Sequence, residues 1–201
     1  MRLAAIAFVL GALLVCGAPG NAASSRSDPS TIPLVDQNDA AFTLRDLRGR
    51  PLLVTFIATR CTDACPIANA VFAGLQRDLR ERHLDARLLT VTLDPRYDTP
   101  FVVARTARAL GADPALWRFA AGTVADVQRL LAAFGVVTAA DERGIPDVHS
   151  TYVYVLDRAG NLTRTLLLST AIRRELLDVL AAERAQTSAA SASRLRSSSR
   201  W

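Results

Sequence analysis

The sequence predicts an α/β protein built on one mixed sheet that is covered by helices on both faces. Short apolar runs typical of buried strands alternate with amphipathic stretches of helical period. Strand–helix alternation of this kind produces a sheet flanked by helices. Two further pairs of apolar runs, within 34–44 and 151–168, surround polar turns and predict an N-terminal hairpin and a second, inserted hairpin.

The first half of the chain supplies two central strands and two helices after the N-terminal hairpin. The run 52–58 is continuously apolar and predicts a buried strand. A helix is predicted over 66–82, because apolar residues recur there every four positions and Pro66 suits a first helical turn. The next buried strand is predicted over 86–93. Two prolines mark 94–100 as a loop, and a helix follows over 101–110.

The second half completes the sheet. A short strand is predicted over 117–120, and a helix over 124–134 ends before Gly135. A long polar loop then leads to the second hairpin, whose strands at 151–156 and 162–168 surround an Asp-, Gly- and Asn-containing turn. An amphipathic helix over 171–182 closes the domain.

Both ends of the chain differ in composition from this domain. Arg2, an apolar stretch and a run of small residues form the pattern of a secretory signal, with cleavage expected after Ala22 or Ala23. Cys16 would leave with the signal, although retention of the segment as an anchor is the alternative. The Ser-, Ala- and Arg-rich C-terminus is expected to be disordered. The predicted divisions are a signal or anchor over 1–23, a linker over 24–32, the domain over 33–185 and a tail over 186–201.

The charge of the chain helps to exclude one class of function, nucleic-acid binding. The formal net charge is +5, and all 24 basic residues are arginines. A nucleic-acid interface would need basic residues clustered beside aromatic ones, and the sequence has no such cluster. We therefore expect no nucleic-acid partner, and at most a weak attraction to an anionic membrane surface.

Cys61 and Cys65 are the first candidate site residues. They lie between the first central strand and the Pro66 helix. Cα atoms four residues apart in a helix are about 6.2 Å from each other, and a disulfide accepts about 4.4–6.8 Å. The pair can therefore form a disulfide or, as thiolates stabilised by a helix N-terminus, bind a metal. A purely structural disulfide is one alternative. Structural zinc is less suitable, because it needs four ligands.

His149 is the third candidate, because it precedes the strand predicted at 151–156. If both strands belong to one sheet, their ends can bring two sulfurs and an imidazole together, a ligand set suited to copper. A lone histidine is otherwise more often a hydrogen-bonded structural residue. A thiol pair at a strand-to-helix turn is also typical of thioredoxin-like proteins. Three loop carboxylates could hydrogen-bond to a ligand imidazole without binding the metal: Asp94, Asp98 and Asp147.

Four segments together resemble the Sco/SenC family in their order and spacing: Asp36-Gln37, Cys61-Thr62-Asp63-Ala64-Cys65-Pro66, Asp94-Pro95-Arg96-Tyr97-Asp98-Thr99-Pro100 and Asp147-Val148-His149-Ser150-Thr151. The resemblance covers about 33–180. It implies a thioredoxin-like fold and copper, Cu(I) or Cu(II), bound by Cys61, Cys65 and His149. It also implies a role in assembling the dinuclear copper centre of cytochrome c oxidase, as a metallochaperone, a thiol reductant or both.

The same resemblance implies partners and a location. The expected partners are the copper-bearing subunit of cytochrome c oxidase and other exported copper chaperones or thiol reductants. The expected location is the bacterial periplasm, with the protein soluble or anchored by its N-terminal segment. This chain departs from the family at Arg60-Cys61-Thr62-Asp63, where the family usually has His-Cys-Pro-Asp. The departure keeps the ligands and changes the surface around them.

A different class of function uses the same two cysteines. An exported thiol-disulfide oxidoreductase or thiol peroxidase would need Cys61 and Cys65 but not His149, whereas the copper site needs all three. The sequence therefore leaves the enzyme question open.

Overall fold

The computed structural model describes residues 28–146, 148–149 and 151–198. The strands are β1 (Leu34–Asp36), β2 (Ala41–Phe42), β3 (Leu52–Ile57), β4 (Arg87–Thr92), β5 (Trp117–Ala121), β6 (Thr138–Ala139), β7 (Val148–His149), β8 (Tyr152–Leu156) and β9 (Leu162–Leu167). The α-helices are α1 (Ala64–Glu81), α2 (Pro100–Ala109), α3 (Val124–Ala133) and α4 (Ile172–Ser198). Short 3-10 helices occupy Pro29–Thr31 and Leu44–Leu47.

Seven of these strands form one mixed sheet in the order β2-β1-β5-β4-β3-β8-β9. The three central strands β3, β4 and β5 are parallel, and the remaining neighbours pair in antiparallel fashion. All six residues of β3 are buried, as expected for a strand covered on both faces. The predicted mixed α/β sheet with two hairpins is confirmed.

Aromatic contacts show that α1 and α3 cover opposite faces of this sheet. Residues aligned across the central strands share a face, and the register aligns Phe56 with Ala120, through Val91, rather than with Trp117. Phe72 of α1 packs on Trp117, whereas Phe134 at the end of α3 packs edge-on against Phe56. The sheet therefore forms the middle layer of three.

Helix α4 packs beside α1, on the same face of the sheet. Its inward residues Ile172, Leu176 and Leu180 are buried. At the contact between the helices, Arg173 crosses α1 over Gly74, where a Cβ would lie only 2.7 Å from the Arg173 guanidinium. Arg173 Nε then lies 3.1 Å from the carboxylate of Asp78. The absence of a side chain at Gly74 thus permits an ion pair between the two helices.

Several boundaries differ from the sequence expectation. Helix α1 begins at Ala64 rather than Pro66, so Cys65 lies within its first turn. Helix α4 extends to Ser198 and occupies the stretch from Gln186 that was expected to be a disordered tail. That stretch contains no Gly or Pro and is rich in Ala and Arg, which favour helix. The ladder between β6 and β7 lies where a polar loop was expected.

The predicted signal or anchor at 1–23 lies outside the described residues, as do Asp147 and residues 24–27 of the linker. The proposed division of the chain stays a prediction. Within the described part of the chain, no helix combines the length and apolar character needed to span a bilayer.

We expect Leu176→Ala to destabilise the protein by about 2–5 kcal/mol, because the side chain is fully buried between α4 and the core and its loss leaves a cavity. Urea unfolding would measure the change. Leu162→Ala is the matched control, since Leu162 is 48% exposed and its truncation should cost no more than about 0.5 kcal/mol. Equal costs for the two variants would show that α4 is not part of the folded core.

Candidate metal centre

The two cysteines lie where β3 ends and α1 begins. Neither is in a disulfide and both are recessed, with 6% of Cys61 and 2% of Cys65 exposed. The turn between strand and helix is closed by the Cys61 N–H, which donates to the Ala58 carbonyl at 3.1 Å. The fold therefore presents two thiols together at the carboxyl end of a central strand.

The sulfur of Cys61 also faces the start of α1. The backbone N–H of Cys65 lies 3.4 Å from Cys61 Sγ and donates to it. The first N–H groups of a helix have no partner within the helix, and the side chain of the N-cap residue Asp63 makes no capping hydrogen bond. The Cys61 sulfur thus accepts from the helix start, an arrangement that favours negative charge on sulfur. This is the form of cysteine that binds metals and acts as a nucleophile.

Asp98 connects the segment before the thiols to the neighbouring strand. Its carboxylate is fully buried and accepts from the Thr59 N–H at 3.0 Å and from the Thr92 hydroxyl at 2.7 Å. The Thr59 hydroxyl is a third donor to the same carboxylate. Burial raises the pKa of Asp98 because it removes water from the charge, while these three donors act in the opposite direction. Asp98 therefore fixes the end of β4 against the segment that leads to Cys61.

Asp94 makes a second connection through the residue beside Cys61. Arg60 Nη2 donates to the Asp94 carboxylate at 2.6 Å, and the guanidinium lies 4.3 Å from the centre of the Tyr97 ring. The hydrogen bond to Asp94 raises the pKa of Arg60. A planar guanidinium suits both contacts at once. Arg60 thus ties the thiol segment to the loop after β4.

His149 is placed only by its backbone. It pairs with Thr138 in the short β6–β7 ladder, three residues before Tyr152 opens β8. Since β8 runs antiparallel to β3, its first residues lie at the edge of the sheet where β3 ends. The residues that follow His149 therefore join the sheet at its thiol edge, by which we mean the end of the sheet where β3 ends and Cys61 and Cys65 lie. The His149 side chain is outside the described set, and among the side chains within it no three His, Cys, Asp or Glu residues form a metal-binding cluster.

Comparison with known proteins identifies the family of this chain. The SCO1/SenC family model matches residues 29–182. The chain belongs to the SCO1/SenC family. The SCO1 protein homolog of Bacillus subtilis strain 168 is 23% identical over 156 residues, which cover 76% of this chain and 81% of that protein.

Solved structures of family members share the fold. A SCO1/SenC family lipoprotein from Bacillus anthracis str. Ames matches with a TM-score of 0.70 at 22% identity, covering 80% of this chain and 96% of that one. Bradyrhizobium japonicum ScoI, solved with copper bound, matches with a TM-score of 0.61 at 24% identity, covering 72% and 96%. The predicted thioredoxin-like fold is confirmed.

Within this SCO1/SenC chain, the structure brings four of the six predicted site residues to one end of the sheet: Cys61, Cys65, Asp94 and Asp98. Thr59, Thr92 and the contacts of Arg60 were not predicted from the sequence. A signal for them existed, because polar residues that follow two buried parallel strands meet at the same sheet edge. The sequence could not show which donor each carboxylate would take.

We expect Asp98→Asn to change the pH dependence of stability in a defined direction. A raised folded pKa means that the folded protein takes up the Asp98 proton at higher pH than the unfolded chain, so wild-type stability falls as pH rises from about 3.8 to the raised pKa. The free energy of unfolding of Asp98→Asn minus that of the wild type should therefore increase across this window. Urea titrations between about pH 4 and pH 7 would measure it.

Asp113→Asn serves as the control for this measurement, because a hydrogen bond from Arg80 lowers the pKa of Asp113. The wild type gains the stability from Asp113 mostly below about pH 3.8, so between about pH 4 and pH 7 the corresponding difference should stay nearly constant. Parallel slopes for the two variants would contradict the assignment for Asp98.

Proposed function

We propose that this protein is an exported copper-handling protein that carries copper on Cys61, Cys65 and His149 and serves assembly of the copper centre of cytochrome c oxidase. The observation that carries the proposal is the pair of recessed cysteine thiols, not joined in a disulfide, at the start of α1, where Cys61 Sγ accepts from the Cys65 N–H. In this role copper is cargo: the protein binds it, protects it and passes it on.

The donor chemistry supports copper. Two thiolates form a soft pair that favours Cu(I), and an imidazole tolerates Cu(II) as well. Recessed sulfurs limit access of water and oxidants to the metal. Among relatives, Bradyrhizobium japonicum ScoI has been solved with copper bound. One of the carboxylates Asp94, Asp98 or Asp147 would hydrogen-bond to the His149 ring and fix its orientation.

The proposal includes partners and a location. The recipient is the copper-bearing subunit of cytochrome c oxidase, and other exported copper chaperones or thiol reductants would load or reduce the site. The location is the bacterial periplasm, with the protein soluble or held at the membrane by its N-terminal segment. The related lipoprotein of Bacillus anthracis supports an exported, anchored form.

A second candidate function is a thiol-disulfide oxidoreductase or thiol peroxidase. It is supported by the same contact from the Cys65 N–H to Cys61 Sγ, which favours a nucleophilic sulfur. Such an enzyme would not depend on His149 or on copper.

We expect the reduced protein to bind one Cu(I) per chain and His149→Ala to lose most of that affinity, because two remaining ligands leave the metal open to solvent. Competition with a chromophoric Cu(I) chelator would measure affinity. His83→Asn is the control, since His83 is an exposed histidine with φ 51, a conformation that Asn tolerates. If His149→Ala binds Cu(I) as tightly as His83→Asn while both retain thiol-disulfide exchange, the second function is the better one.

We also expect oxidation to abolish copper uptake. Oxidised glutathione would accept two electrons from the thiols and join Cys61 to Cys65, which removes both thiolate ligands. Copper content after desalting should fall to background and return after reduction with a phosphine. The Cys61→Ser, Cys65→Ser double variant should bind no copper in either state. Copper bound equally well by oxidised and reduced protein would exclude the two sulfurs as ligands.

A further inference from the structure

Most large apolar side chains left exposed by the fold lie at the thiol edge of the sheet. Within the described residues, the exposed large apolar side chains are Ile67, Tyr97, Phe101, Val137, Leu162 and Leu167. Ile67 is in the first turn of α1, two residues after Cys65, and Tyr97 contacts Arg60 beside Cys61. Phe101 lies in the first turn of α2, which follows the Asp98 loop.

Leu167 reaches the same edge from the other side of the thiols. It lies opposite Tyr152, the first residue of β8, whereas Leu162 at the other end of β9 lies opposite Leu156. Because β8 is antiparallel to β3, Tyr152 is at the thiol edge and Leu156 is at the far edge. We call Ile67, Tyr97, Phe101 and Leu167 the docking rim.

A groove continues the rim between α1 and α4. It has a volume of about 400 Å³ and is lined by Pro66, Ile67, Ala70, Val71, Thr170 and Arg173. Thr170 is three residues beyond Leu167, so the groove spans the distance from the start of α1 to the segment after β9. The apolar surface therefore extends from the thiol turn towards β9.

Among the residues that the structure describes, most unneutralised charge at this edge is positive. Helices α1, α2 and α4 all begin here, and each helix N-terminus carries partial positive charge. Arg96 and Arg105, on either side of Phe101 in the chain, have no ion-pair partner among the residues that the structure describes, whereas Arg60 is neutralised by Asp94. Asp63 is an exposed acidic residue at the same turn. The unpaired arginines are complementary to carboxylates on a partner.

The recessed sulfurs explain why a partner must contact this rim. Only 6% of Cys61 and 2% of Cys65 are exposed. If copper leaves by ligand exchange, the ligands of the acceptor must reach the thiols while the surrounding residues are in contact with the acceptor.

We propose that the docking rim binds a protein copper acceptor whose metal-binding face has an apolar centre flanked by carboxylates. This rests on the proposed copper function and assigns it an interaction surface. Aromatic and arginine side chains such as Tyr97, Phe101 and Arg96 are enriched at protein interfaces, and tyrosine and arginine are among the types that contribute most to binding. The arginines accelerate association and make it sensitive to salt.

Two leucines on the same strand provide the test. The probe is the purified soluble domain of the copper-bearing subunit of cytochrome c oxidase from the same organism. Its binding to the full-length, Cu(I)-loaded protein is measured by titration calorimetry, and copper transfer is measured from the metal content of the two separated proteins. Leu167→Ser and Phe101→Ser should weaken binding on the order of 5- to 10-fold. Leu162→Ser, at the far edge, should leave binding within about twofold of the wild type.

Arg96→Gln tests the electrostatic part of the proposal. The wild type should bind more weakly as ionic strength rises from about 0.01 to 0.15 M, and Arg96→Gln should show a shallower dependence. Cu(I) affinity, measured separately for each variant, should not change, because none of these residues binds the metal.

The outcomes separate this proposal from the proposed function. The docking-rim proposal would be overturned if Leu162→Ser and Leu167→Ser weakened binding equally. It would also be overturned if the wild type did not bind the probe. Rim-dependent binding without copper transfer would support the rim and contradict the copper-delivery function. Self-association of the wild type that is lost in Leu167→Ser would assign the rim to a second copy of this chain and overturn the proposed occupant.

Discussion

The buried carboxylate of Asp98 is the constraint on which the thiol edge depends. A buried charge is costly unless it is hydrogen-bonded, and Asp98 takes three donors from Thr59 and Thr92 on neighbouring segments. Thr92 also accepts from the Asp94 N–H through its hydroxyl, and Asp94 in turn holds Arg60. The segment before Cys61 is therefore held by a connected set of bonds rather than by a single contact.

This connection makes the two sides of the proposed site unequal. The cysteine side is built on central strands and fixed by side-chain hydrogen bonds to the loop after β4. The histidine side is carried by a ladder of two residue pairs, Thr138 with His149 and Ala139 with Val148. A metal bound by all three ligands would therefore join a firmly held element to one whose described residues make few backbone bonds. Most of the adjustment on loading and release would then fall to the histidine side.

Local sequence patterns predicted the strands, helices and cysteine turn, but not the contacts between segments that are distant in the chain. The alternation of apolar runs and helical stripes predicted the mixed sheet, because burial on both faces leaves a pattern in consecutive residues. The cysteine spacing predicted their common turn, because the interaction is local. The partners of Asp94 and Asp98 depend on which strands are neighbours and on which donors point inward, which no local pattern encodes. The helix through Ser198 was missed because Ser- and Ala-rich composition suits disorder as well as helix.

The direction of α4 has a consequence for how the molecule can be held. The helix starts at the thiol edge, and by Leu180 and Arg184 it has reached the far end, where they line a pocket with Pro51 and His83. Its 27 residues give a length of about 40 Å. Attachment to a surface, a label or a fused protein through the C-terminal end of this helix would therefore leave the thiols facing away from the point of attachment and open to an approaching protein.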